Sequence, residues 1–200
     1  MIYDDGIQKG LEDNIKDSAI ARKIYISYPT DVFKDKLEIE FDILNKISEY
    51  FDVPFSCIQI AGSAKTGYSY HKQSKFIPGQ SDLDIAIINE SLFIKYMQIS
   101  YRTTNKYSDL SKFHSKKEGV SGQELYTASL KYIAKGYFRP DLMPLCTEKS
   151  KWFEFFSKLS DKYFEVFKTI NAGIYCNQHF YESKQSENIK NFKKMRGIKL

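Results

Sequence analysis

Two aspartates, Asp82 and Asp84, stand one residue apart at the start of an apolar run, Leu83-Asp84-Ile85-Ala86-Ile87-Ile88. If that run is a β-strand, positions i and i+2 share a face, and both carboxylates leave the chain on the same side. Carboxylates that close repel each other unless a cation lies between them. A divalent ion with oxygen ligands relieves the repulsion, and Mg²⁺ bridging to phosphate oxygens is the usual solution. Upstream, Cys57-Ile58-Gln59-Ile60-Ala61 reads as another strand, running into Gly62-Ser63. Glycine there lets backbone amides approach a phosphate closely, and the serine hydroxyl adds a donor. A helix beginning at that turn would add positive potential. The two segments together suit a phosphate and a divalent metal.

These residues need a scaffold, and the rest of the pattern supplies one. Residues 5–22 read as a first helix, with Ile7, Leu11 and Ile15 on one side, and Ile24-Tyr25-Ile26-Ser27-Tyr28 as a short β-like run stopped by Pro29. From Thr30 or Asp31, apolar residues recur at Phe33, Leu37, Phe41, Leu44 and Ile47, which predicts a helix ending near Phe51. Residues 64–81 form a polar loop, 90–100 a helix, 102–122 a long polar loop, and 123–135 a helix. The proline-bounded segment 137–144 is extended, and everything beyond it reads as helical, with a broad apolar stripe from Trp152 to Ile170 and a basic last helix over 177–194. The expected fold class is α/β (α+β). A small mixed sheet drawn from residues 56–62, 83–88 and 138–144 is flanked by helices, in a single domain over 1–200 with a core at 1–147 and a helical part at 148–200.

Composition narrows the classes. Hydrophobic residues at 42% and aromatics at 16% supply enough apolar surface for a core and exclude a disordered chain. No apolar run approaches the roughly 20 residues of a membrane helix. Met1–Asp5 is acidic and lacks an apolar stretch, so no secretory signal, no membrane partner and a cytoplasmic location are expected. Cys57, Cys146 and Cys176 lack metal-ligand spacing and read as idle thiols, and His71, His114 and His179 lack it too. Residues 1–100 carry 11 basic against 15 acidic side chains, and residues 101–200 carry 19 against 10. The basic half suits an anionic partner, although only Arg22, Arg102, Arg139 and Arg196 offer the arginine fork that phosphate and base recognition favours. Lys112, Lys116 and Lys117 read as a solvated run, and Tyr175, Phe180 and Tyr181 as helix packing rather than base stacking. Gly62-Ser63-Ala64-Lys65-Thr66 is not a Walker phosphate loop, because the glycines required at 59 and 64 are Gln59 and Ala64.

Gly62-Ser63 after one strand, followed by Asp82-Leu83-Asp84-Ile85-Ala86 on the next, resembles the signature of the polymerase-β-like nucleotidyltransferase superfamily. The resemblance covers a catalytic core and no particular subfamily. It implies a nucleotidyltransferase fold and nucleotide contacts from Gly62, Ser63, Lys65 and Ser81. It also implies two Mg²⁺ ions, or Mn²⁺ in their place, held by Asp82 and Asp84. A third carboxylate on a later strand completes the metal site in such families, and Asp141, in Arg139-Pro140-Asp141-Leu142-Met143-Pro144, is the best candidate ahead of Asp109. The spacer 64–81 is longer than the family's usual one, and is expected to be a hairpin over the nucleotide that brings Lys65, Lys72 and Lys75 within reach of a triphosphate, with His71 in the same loop read as a plain polar loop residue.

The activity so implied moves a nucleoside monophosphate from an NTP to a hydroxyl of RNA, protein or another nucleotide, and releases pyrophosphate. The short chain is similar to compact members of toxin–antitoxin and phage-defence operons, which implies an operon partner protein. The alternative is a catalytically silent domain of the same fold that binds nucleotide or a partner protein.

Overall fold

The computed structural model describes residues 2–114 and 119–198; Lys116 and Lys117 of the lysine run lie outside these. The chain begins with α1 (Ile2–Glu12) and α2 (Asp17–Arg22), which continues into a π-helical turn at Lys23–Ser27. A 3-10 turn at Asp31–Phe33 and α3 (Leu37–Phe51) lead to β1 (Ile58–Ala61), the short α4 (Gly62–Thr66), the hairpin strands β2 (Tyr68–Ser69) and β3 (Ser74–Lys75), and β4 (Leu83–Ile88). Then follow α5 (Glu90–Thr103), α6 (Gly122–Ile133), β5 (Tyr137–Phe138), α7 (Thr147–Lys162), β6 (Ile170–Tyr175) and α8 (Gln178–Met195). Polar caps start the later helices: Asn89 accepts from the Leu92 amide, Ser121 and Glu124 form a reciprocal capping box, and Asn177 accepts from Phe180.

The main sheet is mixed and four-stranded, in the order β1–β4–β6–β5. β4 runs antiparallel to β1, parallel to β6, and β6 runs antiparallel to β5. The register divides the residues cleanly between two faces. Ile58, Ile60, Leu83, Ile85, Ile87, Ile170, Ile174 and Phe138 point to one side, where they pack with α3, α5 and α7. Ala61, Asp84, Ala86, Asn171, Gly173, Tyr175 and Tyr137 share the other side, whose apolar members pack with α1, α2 and α8. The result is a helix–sheet–helix sandwich, one of the few ways a sheet can bury both faces.

The mixed α/β architecture with a small mixed sheet matches the expectation, and several elements do not. The expected first helix is two, because Asn14 turns left-handed (φ +54°) after α1. The run 24–28 is helical rather than extended: Ile24 and Tyr25 are buried among α1, α2 and α8, so packing overrides a short β-branched run. The helix expected from Thr30 begins at Leu37, after the 3-10 turn. The extended segment at 137–144 supplies only two strand residues, since Pro140 opens a 3-10 turn that carries Asp141. The largest correction is at the C-terminal end. The part read as helical, 148–200, contains β6, which sits between β4 and β5 inside the sheet. The three cysteines are free and partly buried. Among the described residues, no helix is long and apolar enough to cross a membrane.

Candidate active site

Four chain ends meet at one end of the sheet. β1 finishes where β4 starts, so Ala61 pairs with Asp84, and β6 starts alongside, so Asp84 pairs with Asn171. The chain leaving β5 runs antiparallel past β6 and delivers Arg139 and Asp141 to the same end. Between these ends and α8 lies a cleft of about 510 Å³, whose lining includes Gly62, Asp84, Asn171, Arg139, Asp141 and Gln185. Small side chains make this room: Ala61, Ala86 and Gly173 stand where the opposite face carries isoleucine and leucine.

Gly62 is required twice over. Its φ of +64° is one that side-chain-bearing residues rarely adopt, and a Cβ there would lie 2.6 Å from Asp84 Oδ2. The Asp84 carboxylate is therefore packed against a bare Cα at the turn. It is open to solvent through the cleft, yet protein hems it in on most sides. That environment pushes its pKa up to about 6, chiefly by burial, then by the Asp82 charge, with Lys72 acting in the opposite sense. Among the described residues, no hydrogen-bond donor reaches this carboxylate.

Asp82 is held differently. Its Oδ1 accepts a hydrogen bond from Thr169 Oγ1 at 2.8 Å, and Thr169 Oγ1 accepts in turn from Asn171 Nδ2 at 2.7 Å. A relay of two neutral side chains from β6 and the loop before it thus orients the first carboxylate. Hard oxygen donors on one face of a strand, one anchored and one poor in donors, fit a divalent cation such as Mg²⁺ or Mn²⁺. Asp82 and Asp84 would hold it; the chemistry it supplies when bound is the neutralisation of phosphate charge.

The third carboxylate stands apart from this pair. The β6 residue in register with Asp84 is Asn171, an amide. Asp141 lines the same cleft but is gripped by the Arg139 guanidinium, through Nε at 3.1 Å and Nη2 at 2.6 Å. Asp109 accepts from the Ser111 amide in a polar turn and is not part of the cleft lining.

Of the residues expected to hold nucleotide, Gly62 lines the cleft. Ser63 follows it in α4, half-buried. Ser81 closes the preceding loop, its hydroxyl accepting from the Ile77 amide at 3.0 Å. Lys65 goes elsewhere. It is 3% exposed, its Nζ donates to the Tyr28 carbonyl at 2.6 Å, and it opens on a separate groove beside α3. Burial lowers its ammonium pKa to about 8. The segment 64–81 is in part the expected hairpin, and Lys72 at its turn is the lysine whose charge bears on Asp84.

Three groups at the cleft are absent from the reading of the sequence. Asn171 and Thr169 lay in a stretch taken as helical. Tyr137 leans its ring over Gly173, where a Cβ would come within 2.3 Å of it, and stacks on Tyr175 with centroids 4.4 Å apart and planes 12° apart. Lys184, Gln185 and Asn188 of α8 form the far wall, and their spacing on one helical face is the only signal that could have found them. Compared with protein-family models, curated proteins and solved structures, the chain matches none of them.

Proposed function

We propose that the chain is a divalent-metal-dependent nucleotidyltransferase with a nucleotidyltransferase-type fold, and that the cleft at the strand ends is its active site. One observation carries the reading: the β1–β4 register that seats the Asp84 carboxylate on the bare Cα of Gly62, beside Asp82, at the mouth of a cleft. A phosphate-binding turn and a carboxylate pair have no need of each other in a purely structural role, and the raised pKa of Asp84 is a cost in the absence of a cation.

In this reading the amides at Gly62 and Ser63 hold the terminal phosphates of an NTP. Asp82, fixed by Thr169, and Asp84 hold the metal beside them. Lys72 adds positive charge near the carboxylates, while Arg139 and Lys184 at the cleft are paired with Asp141 and Glu187. An acceptor hydroxyl attacks the α-phosphorus in line, the new P–O bond forms as the bond to pyrophosphate breaks, and the hydroxyl proton passes to a carboxylate or water. Positioning and charge neutralisation carry such a transfer. The acceptor is a hydroxyl of RNA, protein or a nucleotide; the basic half of the chain favours RNA, and an operon partner protein and a cytoplasmic location belong to the same proposal.

A second reading, a catalytically silent nucleotide-binding domain, is favoured by two details: Asn171 stands in register with Asp84, and Asp141 is neutralised by Arg139. Incubation of the protein with each α-labelled NTP, Mg²⁺ and total cell extract separates the two. Transfer of label to RNA or protein, lost by at least about a thousandfold in the Asp82→Ala/Asp84→Ala double variant with its fold intact, is the expected outcome. Undiminished transfer in that variant sinks the active-site assignment. Tight NTP binding without pyrophosphate release supports the silent domain.

A further inference from the structure

The α8 wall of the cleft carries a side chain with no part in the chemistry above. Gln185 is 4% exposed and lines the cleft. Its Oε1 accepts a hydrogen bond from Asn188 Nδ2 at 3.0 Å. The acceptor end of the amide is thus taken and the donor end, Nε2, is left over. Among the described residues Nε2 has no hydrogen-bond partner. No fully buried side-chain nitrogen or oxygen among them lacks one, so Nε2 keeps some exposure to solvent, and Gln185 lines the cleft. The helix that carries it is pinned to α2 by Arg22 on Glu182 (2.6 and 2.9 Å) and by Lys193 on Asp17 (2.7 Å). A largely buried donor, held by Asn188 and set on an anchored helix, is a preorganised recognition group.

We infer that Gln185 Nε2 donates a hydrogen bond to a carbonyl oxygen or ring nitrogen of the nucleobase and so selects among nucleotides. The inference rests on the reading of the cleft as a nucleotide site. Chemistry assigns this donor to the base rather than to the phosphates. The amide is neutral and paired with a neutral Asn188, whereas Gly62 and the carboxylate pair lie at the strand ends. The uncharged lining of the cleft includes aromatic surface on which a base could lie, among it the Tyr137 ring stacked on Tyr175. An Nε2 that can only donate accepts a base with an oxygen or bare nitrogen at that position and rejects one with an amino group there, because two donors would face each other in a desolvated site.

The test is calorimetric titration of the full chain with Mg²⁺ and the α,β-methylene analogues of ATP, GTP, CTP and UTP, beside inorganic tripolyphosphate as a probe with no base. The wild-type protein is expected to prefer one analogue over the weakest by about tenfold, the worth of one neutral hydrogen bond in a buried site. Gln185→Leu is expected to reduce that preference to about twofold or less, with tripolyphosphate binding and melting temperature unchanged. Gln185→Glu, which turns the donor into an acceptor, is expected to shift the preference towards a base bearing an amino group. Equal binding of all four analogues by the wild-type protein, or a preference that survives both substitutions, overturns the inference while leaving the nucleotide site standing. Failure of the wild-type protein to bind tripolyphosphate or any analogue overturns the nucleotide site itself.

Discussion

On the face of the sheet that carries Leu83, Ile85 and Ile87, side chains from α3, α5 and α7 fill the space against the strands, and Trp152, Phe156 and Leu159 are almost wholly buried. On the opposite face the same strands carry Ala61, Asp84, Ala86, Asn171 and Gly173, and α8 stands off far enough to leave a cleft. Both faces come from one alternation along β4 and β6. The difference is side-chain size and polarity at every second residue: both faces bury a core, but only the second leaves a cleft at the strand ends. Close packing makes the first face intolerant of lost volume. The second face sets small and polar residues at the strand ends beside a core of its own.

Neighbouring positions on β4 give the sharpest test of that division. Ile87→Ala, on the closed face, is expected to cost about 2–5 kcal/mol in chemical denaturation, since a buried isoleucine leaves both lost burial and a cavity. Transfer activity per folded molecule should be unchanged; a loss of activity that outruns the loss of folded protein would break the comparison. Next in size is Gly62→Ala. The left-handed φ and the clash with Asp84 Oδ2 should together cost about 1–3 kcal/mol. Here nucleotide transfer should fall further than stability does, because Asp84 must move.

Asp84→Asn is the smallest effect and has the opposite sign. Asp84 titrates at about 6 in the folded protein, above its usual 3.8, so the folded state holds this proton more tightly than the unfolded chain does. The charged form therefore costs stability, a cost absent below pH 4, growing as pH rises from 4 to 6, and constant above. Two pKa units correspond to about 2.7 kcal/mol, and solvent access through the cleft reduces that to about 1 kcal/mol. Melting curves of Asp84→Asn without divalent metal should thus lie above wild type at pH 7 and coincide with it near pH 3.5. A variant less stable than wild type at pH 7 would mean that the carboxylate is held by the fold and not strained for a ligand.

How far the sequence alone carries depends on how each element announces itself. β1 and β4 were legible because their apolar residues alternate and end at Gly62 and Asp82, so the turn and the carboxylate pair followed directly. β6 was not, because Asn171 and Gly173 interrupt its apolar pattern and it lies between two strongly helical stretches. Those interruptions are what make the cleft, so the feature that hid the strand is the one that serves the site. Asp141 lines the cleft, but Pro140 ends the strand and leaves it in a turn, paired with Arg139 rather than set beside Asp82 and Asp84 on the strand. Lys65 looked like a phosphate ligand from its place in the chain. Only the helical turn of α4 decides that it points inward, to the Tyr28 carbonyl. Gln185 leaves only a faint trace, its spacing with Lys184 and Asn188 on one helical face, since a polar residue on a helix does not show whether it faces a cleft or water.

The parallel pairing of β4 with β6 also fixes when the cleft can exist. Asp82 and the Thr169 that orients it are 87 residues apart in sequence. As the chain emerges during synthesis, the carboxylate pair and the glycine turn appear first. Their orienting partners and the α8 wall follow only after α5, α6 and α7. Pairings this distant form late and slowly, because a long loop must close first. Until then β4 lacks one neighbour, and the two aspartates stand on an unfinished edge. In a nascent chain Asp82, Asp84 and the glycine turn are made well before the residues that face them, so the cleft cannot form until β6 and α8 have followed.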